Sequence, residues 1–195
     1  MDIVNTKDKI VKAAYDCFSE KGYNATTTKE IAKTAGVSEV TLFRYFSTKS
    51  DIFKEMLKRY SFLPVLYEIK IESDGIDLQN TLKIIALKFY NTLLERKNFV
   101  KIMLSEINQY SEEIIDIYSS FIEELDSMLI SILKAKSYDF KLKNLDLKIT
   151  ARGFIGMVYS FFLTNEIFLQ KKVDDNELND VIDAFVEIFL NGIKE

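Results

Sequence analysis

The sequence contains no histidine, one cysteine, one proline and six glycines. With Cys17 as the lone thiol, no internal disulfide can form and no zinc cluster can be assembled. The missing histidine removes the commonest general base, and no Gly-rich phosphate loop or nucleophile–base set takes its place. The chain is therefore not expected to be an enzyme, and no cofactor or metal is expected. The scarcity of proline and glycine, with few strand-like alternations, predicts an all-α protein. The longest uncharged run, residues 153–165, is too short to span a bilayer, so no membrane partner is expected. The opening residues MDIVNTKDK carry charge where a signal peptide has an apolar core, and a cytoplasmic location fits this and the low cysteine count.

What is present is an apolar fraction of 48% over 195 residues, ample for a core without covalent staples. The net charge of −4 argues against a nucleic-acid partner until its distribution is examined. Residues 1–60 hold 11 Lys or Arg against 8 Asp or Glu, a net of +3, and residues 61–195 hold 15 against 22, a net of −7. A small basic head on an acidic body is the asymmetry of a nucleic-acid-binding protein.

Residues 27–49 carry the densest local signals. Thr27 with Glu30 makes a capping box, so a helix should start near residue 28, bury Ile31, Ala32 and Ala35, and end at Gly36. Ser38 caps a second short helix, in which Val40, Leu42, Phe43 and Phe46 are expected to pack inward in part while Glu39, Thr41, Arg44 and Tyr45 face outward. Thr48 with Asp51 repeats the cap for a third. Short helices restarted at this spacing describe a helix-turn-helix. Residues 6–21 form a preceding helix with Ile10, Ala13, Ala14, Cys17 and Phe18 as its buried stripe and Gly22 past its end. Cys17 on that stripe is expected to be a small buried hydrophobe.

Residues 10–56 resemble the DNA-binding domain of the TetR family of bacterial transcriptional regulators. The likeness rests on Ile10, Ala13, Ala14 and Phe18, on Gly22-Tyr23, Thr27-Thr28, Ile31-Ala32 and Ala35-Gly36-Val37-Ser38, on Thr41-Leu42-Phe43 and Tyr45-Phe46, and on Lys49 with Asp51 and Phe53. It covers about a quarter of the chain. It implies an all-α fold of about nine helices, with a three-helix DNA-binding domain over residues 1–48 and a helical effector-binding and dimerisation domain over residues 49–195.

In a helix-turn-helix the second helix enters the major groove. Thr41, Arg44 and Tyr45 are then the base-proximal candidates, Arg44 being able to fork onto guanine O6 and N7. Thr28, Lys29 and Lys49, at helix starts, are placed to grip phosphate. Ser38 and Glu39 stand at the groove-facing start of the reading helix and complete the set; the Glu39 carboxylate could accept from cytosine N4 or repel phosphates. Position 43 is commonly tyrosine in the family, and Phe43, lacking the hydroxyl, is expected to pack.

Beyond the head, Pro64 predicts a bend or break near residues 61–64. Residues 73–75 signal a turn, and helices follow at about 77–95, 98–109, 111–135, 146–170 and 175–193, with a polar loop at 136–144. The last two carry more apolar surface than one core needs. Gly153, Gly156, Val181, Phe185, Ile188 and Phe189 fit either two ordinary buried helices or an intersubunit four-helix bundle, and the resemblance favours a homodimer on a near-palindromic duplex operator. The body is also dense in aromatics and methionine, a pattern that by itself reads as core. The resemblance implies instead a pocket for a small hydrophobic or amphipathic effector, with Tyr118, Phe121 and Met157 as candidates. The function so implied is a dimeric repressor released from its operator by that ligand; the alternative is a small-molecule-sequestering protein with a vestigial helix-turn-helix.

Overall fold

A computed structural model of the chain describes residues 5–136 and 145–193. Among them are ten α-helices: α1 (Thr6–Ala25), α2 (Thr28–Thr34), α3 (Glu39–Tyr45), α4 (Lys49–Tyr60), α5 (Leu63–Glu72), α6 (Leu78–Glu95), α7 (Lys97–Glu106), α8 (Glu112–Lys136), α9 (Leu147–Phe162) and α10 (Asp175–Ile193). No strand occurs among the described residues, and no described helix is long and apolar enough to cross a membrane. The loop expected at residues 136–144 lies outside the described residues, except for Lys136, the last residue of α8.

Local chemistry sets most of these boundaries. The Asn5 side chain accepts from the Lys7 amide at the start of α1. Gly22 then takes φ 84° and ψ 170°, which breaks the helical path and leaves residues 23–25 as a short separate turn. The structure places the break between α4 and α5 at Ser61 and Phe62, and Pro64 sits in the first turn of α5, where its missing N–H leaves no bond unmade.

Packing groups the chain into two compact units, residues 1–61 with 96–121 and residues 62–95 with 122–195. The helix-turn-helix region lies wholly in the first. There α1 packs on α2, α4 and α7, and Ile10, Val11, Ala14, Phe18, Ile31, Leu42, Ile52, Phe53 and Met56 are fully buried. Phe53 meets Tyr23 and Phe18 at centroid distances of 5.1 and 5.7 Å. Cys17 is half-buried beside this core, its thiol 3.5 Å from the Thr34 hydroxyl.

In the second unit α6, α9 and α10 pack on one another around Leu82, Ile85, Ala86, Tyr90, Phe154, Val158, Phe162, Ile182 and Val186. The helix expected over residues 146–170 is α-helical only to Phe162. Leu163–Phe168 winds as a wider π turn, closed by Leu169 N–H donating to Thr164 O and ended by Gln170 at φ 51°. That turn carries Glu166 into the core, where its carboxylate accepts from the Tyr90 hydroxyl and the Val173 amide.

Candidate nucleic-acid interface

The frame of the interface is a set of satisfied helix ends. At α2 the Thr27 hydroxyl accepts from the Glu30 amide while the Glu30 carboxylate accepts from the Thr27 amide. The turn into α3 is a Schellman motif: Gly36, at φ 69°, donates to Lys33 O, and Val37 donates to Ala32 O. The Ser38 hydroxyl accepts from the Thr41 amide at 3.0 Å and shares a hydrogen bond with the Thr41 hydroxyl at 2.8 Å. At α4 Thr48 and Asp51 repeat the reciprocal cap.

Glu30 is the electrostatic centre of the first cap. The Lys21 ammonium at 2.8 Å and then the Thr27 amide and hydroxyl hold its carboxyl down at about 2. Because the folded state binds this proton more weakly than the unfolded chain does, the contribution is complete above the ordinary value near 4.5 and is lost as pH falls towards about 2. Acid titration of Glu30→Gln is therefore expected to show a shallower loss of thermal stability between about pH 5 and pH 2 than the wild-type chain. An identical acid limb in both proteins would remove the cap from the account.

Further contacts tie α3 to its surroundings. The Thr28 hydroxyl donates to Glu39 at 2.6 Å, joining the starts of α2 and α3. Leu42 is fully buried, and Phe46, just past the end of α3, is nearly so; both anchor the helix on the core. Val40 and Phe43 do not pack inward as their chemistry predicts: they are 75% and 47% exposed. A helix of seven residues presents about two turns, and one contact stripe through Leu42 leaves the opposite face in solvent. Arg44 and Tyr45 are exposed and Thr41 half-buried on the remaining surface of α3, and Lys29 is exposed on α2.

Lys49 points elsewhere. Its ammonium donates to the carbonyls of Tyr23 and Thr26 at 2.8 and 2.9 Å and lies 4.2 Å from the centre of the Tyr23 ring. Burial pushes its pKa down, and Glu106 partly opposes that shift. The same short segment is also held by Glu106, whose carboxylate accepts from the amides of Tyr23 and Asn24 at 2.7 and 3.1 Å. Glu113 adds a bond from the Ser50 hydroxyl at 2.5 Å, in the first turn of α4. Sequence reasoning missed Glu106 and Glu113 because no local pattern marks a partner more than sixty residues distant.

The other candidates separate. Tyr118 and Phe121 belong to the first unit, where the Tyr118 ring meets Phe53 and Tyr110 at 5.7 and 5.9 Å. Met157 belongs to the second, where it lines an open concavity of about 610 Å³ with Gly153, Gly156 and Phe185. Gly153 and Gly156 are exposed on α9, Val181 and Phe185 half-buried on α10, and Ile188 is 61% exposed. Phe189 turns into the unit's own core, 4.9 Å from the Phe154 ring.

Comparison with known proteins matches this architecture at both ends of the chain. The family model described as bacterial regulatory proteins, tetR family, matches residues 10–56, and the one described as AefR-like transcriptional repressor, C-terminal domain, matches residues 80–192. The uncharacterised HTH-type transcriptional regulator YvkB of Bacillus subtilis is 27% identical over 188 residues, 96% of this chain and 97% of that one. The HTH-type transcriptional regulator QacR of Staphylococcus aureus is 26% identical over 196 residues, 98% of this chain and 100% of that one. A solved structure of the fatty acid degradation regulator FadR from Bacillus halodurans superposes with a TM-score of 0.72 at 20% identity, covering 96% of this chain and 99% of that one. At that identity the likeness is one of fold.

Proposed function

Because the chain belongs to the TetR family of bacterial transcriptional regulators, we propose that it acts as a homodimeric repressor whose hold on a near-palindromic operator is loosened by a small hydrophobic or amphipathic molecule. The observation that carries the DNA-binding half is the outward face of α3, which offers Arg44, Tyr45 and Thr41 from a frame in which α2, α3 and α4 each start from a capped N-terminus. Base contacts from that face would supply sequence preference, and Lys29 would add phosphate affinity without it.

The dimer half is supported by the exposed side of α9 and α10. Gly153 and Gly156 present no side chain, and an added Cβ at either would meet nothing within 4 Å, so a partner helix has room to approach closely. Val181, Phe185 and Ile188 recur at helical spacing along α10 beside them. Two copies related by a two-fold axis would set two reading helices on half-sites about 34 Å apart. A ligand that favours a different spacing would shift the population away from the DNA-competent form, and a coupling of about 1–3 kcal/mol would lower operator affinity about five- to 150-fold.

The test is selection of bound duplexes from a random pool, followed by titration in rising salt with and without a panel of fatty acids and aromatic hydrophobes. Arg44→Ala is expected to lose discrimination at one base pair per half-site, by about 1–3 kcal/mol. Lys29→Ala should weaken selected and scrambled duplexes alike and flatten the salt slope by about one per chain. Binding that is equal on every duplex would overturn the proposal.

A further inference from the structure

We infer that Val40 is a specificity-determining residue that reads the C5-methyl group of a thymine lying within about two base pairs of the base pair contacted by Arg44. The inference rests on the DNA-binding reading above and deepens it.

At about 100° per residue, Val40 and Arg44 fall about 160° to either side of Leu42, the one buried side chain of α3. They form the outermost line of the helix and project furthest from the protein. The polar side chains beside them are already engaged: Glu39 accepts from Thr28, and Ser38 and Thr41 share a hydrogen bond. The foremost group on this end of α3 is thus a branched aliphatic side chain, 75% exposed. In the major groove the bulkiest apolar feature of a base edge is the thymine methyl, which is the best complement there for this side chain. The rise from residue 40 to residue 44 is about 6 Å, which spans about two base steps of 3.4 Å. Phe43, half-exposed on the adjoining face, extends the apolar ridge.

The experiment uses the full-length protein and the duplex it selects from a random pool, with each thymine of the half-sites replaced in turn by uracil, which lacks only the methyl. One position is expected to weaken wild-type binding about fourfold per half-site, and about fifteenfold when changed in both, the effect of withdrawing one buried methyl from each contact. In Val40→Ala, which loses both γ-methyls, the same replacement should have a much smaller effect, while Val40→Thr, which keeps one γ-methyl, should give an intermediate response. Val40 is exposed, so neither variant removes a core contact. Uracil effects that are the same in wild type and Val40→Ala would overturn the assignment, as would a selected half-site without thymine. Failure to select any duplex would instead remove the DNA-binding reading, and this inference with it.

Discussion

Ile188→Lys is expected to leave each chain folded and to lower operator affinity by about two to four orders of magnitude. Ile188 is 61% exposed, so the substitution removes little buried surface, and lysine is at least as good a helix former as isoleucine. If α9 and α10 form the two-fold contact, the replacement sets two ammonium groups against each other on an apolar face. Without the dimer, the second half-site is no longer presented at high effective concentration, and avidity of about 10²–10⁴ is lost with no change in any DNA-contacting residue. Sedimentation should give a monomer of unchanged helicity, with residual salt-dependent binding to single half-sites. A variant that stays dimeric would place the subunit contact on another face.

Gly22→Ala carries the largest expected cost to stability. At φ 84° and ψ 170° the residue lies in a region that only glycine enters freely, worth about 1–3 kcal/mol of strain for alanine. An added Cβ would also stand 2.4–2.6 Å from all three atoms of the Glu106 carboxyl group. That carboxylate ends a flexible side chain and can swing away, but only by releasing the amides of Tyr23 and Asn24, which are charge-assisted bonds. The combined loss should be about 3 kcal/mol or more, which lowers the melting temperature by about 6–12 °C in a chain of this size. Adding Glu106→Ala should cost less in the Gly22→Ala background than alone, because the two substitutions act on one contact. Strict additivity, or a melting point within a degree of wild type for Gly22→Ala, would discount the contact. The segment concerned leads directly into the Thr27 cap, so the weakened variant should also bind its selected duplex less well.

Much of the head is legible from sequence because the relevant interactions span three or four residues. Thr27 with Glu30, Ser38 with Thr41, and Thr48 with Asp51 each close a ring of backbone and side chain that any sufficiently stable surroundings will permit. Gly36 and Pro64 act through their own φ, and their positions at a helix end and a helix start follow from that alone. The body helices fall within a few residues of their expected bounds for a related reason: apolar residues recurring at three-and-four spacing stabilise only one kind of element. Where the pattern broke, the cause was a wider turn at Leu163–Phe168, which shifts the helical phase and takes the acidic side chain of Glu166 into the core.

Residue type also misleads where a short helix offers more apolar side chains than one stripe can bury. Val40 and Phe43 are as hydrophobic as Leu42, yet Leu42 alone among them faces the core, and this depends on how α3 seats on α2. Lys49 reads as a phosphate ligand because it is a cation at a helix start. In the fold its ammonium instead donates hydrogen bonds to the carbonyls of Tyr23 and Thr26, brought near by the turn at Gly22.

The sequence by itself determined an all-helical chain, the positions of its caps and breaks, and the family to which its first quarter is similar, because each of these depends on neighbours a few residues away. Only the tertiary structure decided that Glu106 braces the residues leading into the helix-turn-helix, that Val40 and Arg44 form its outer edge, and that Phe189 faces inward while Ile188 faces out. Those outcomes depend on how helices distant in sequence pack together, and a one-residue step along a helix turns a side chain by about 100°.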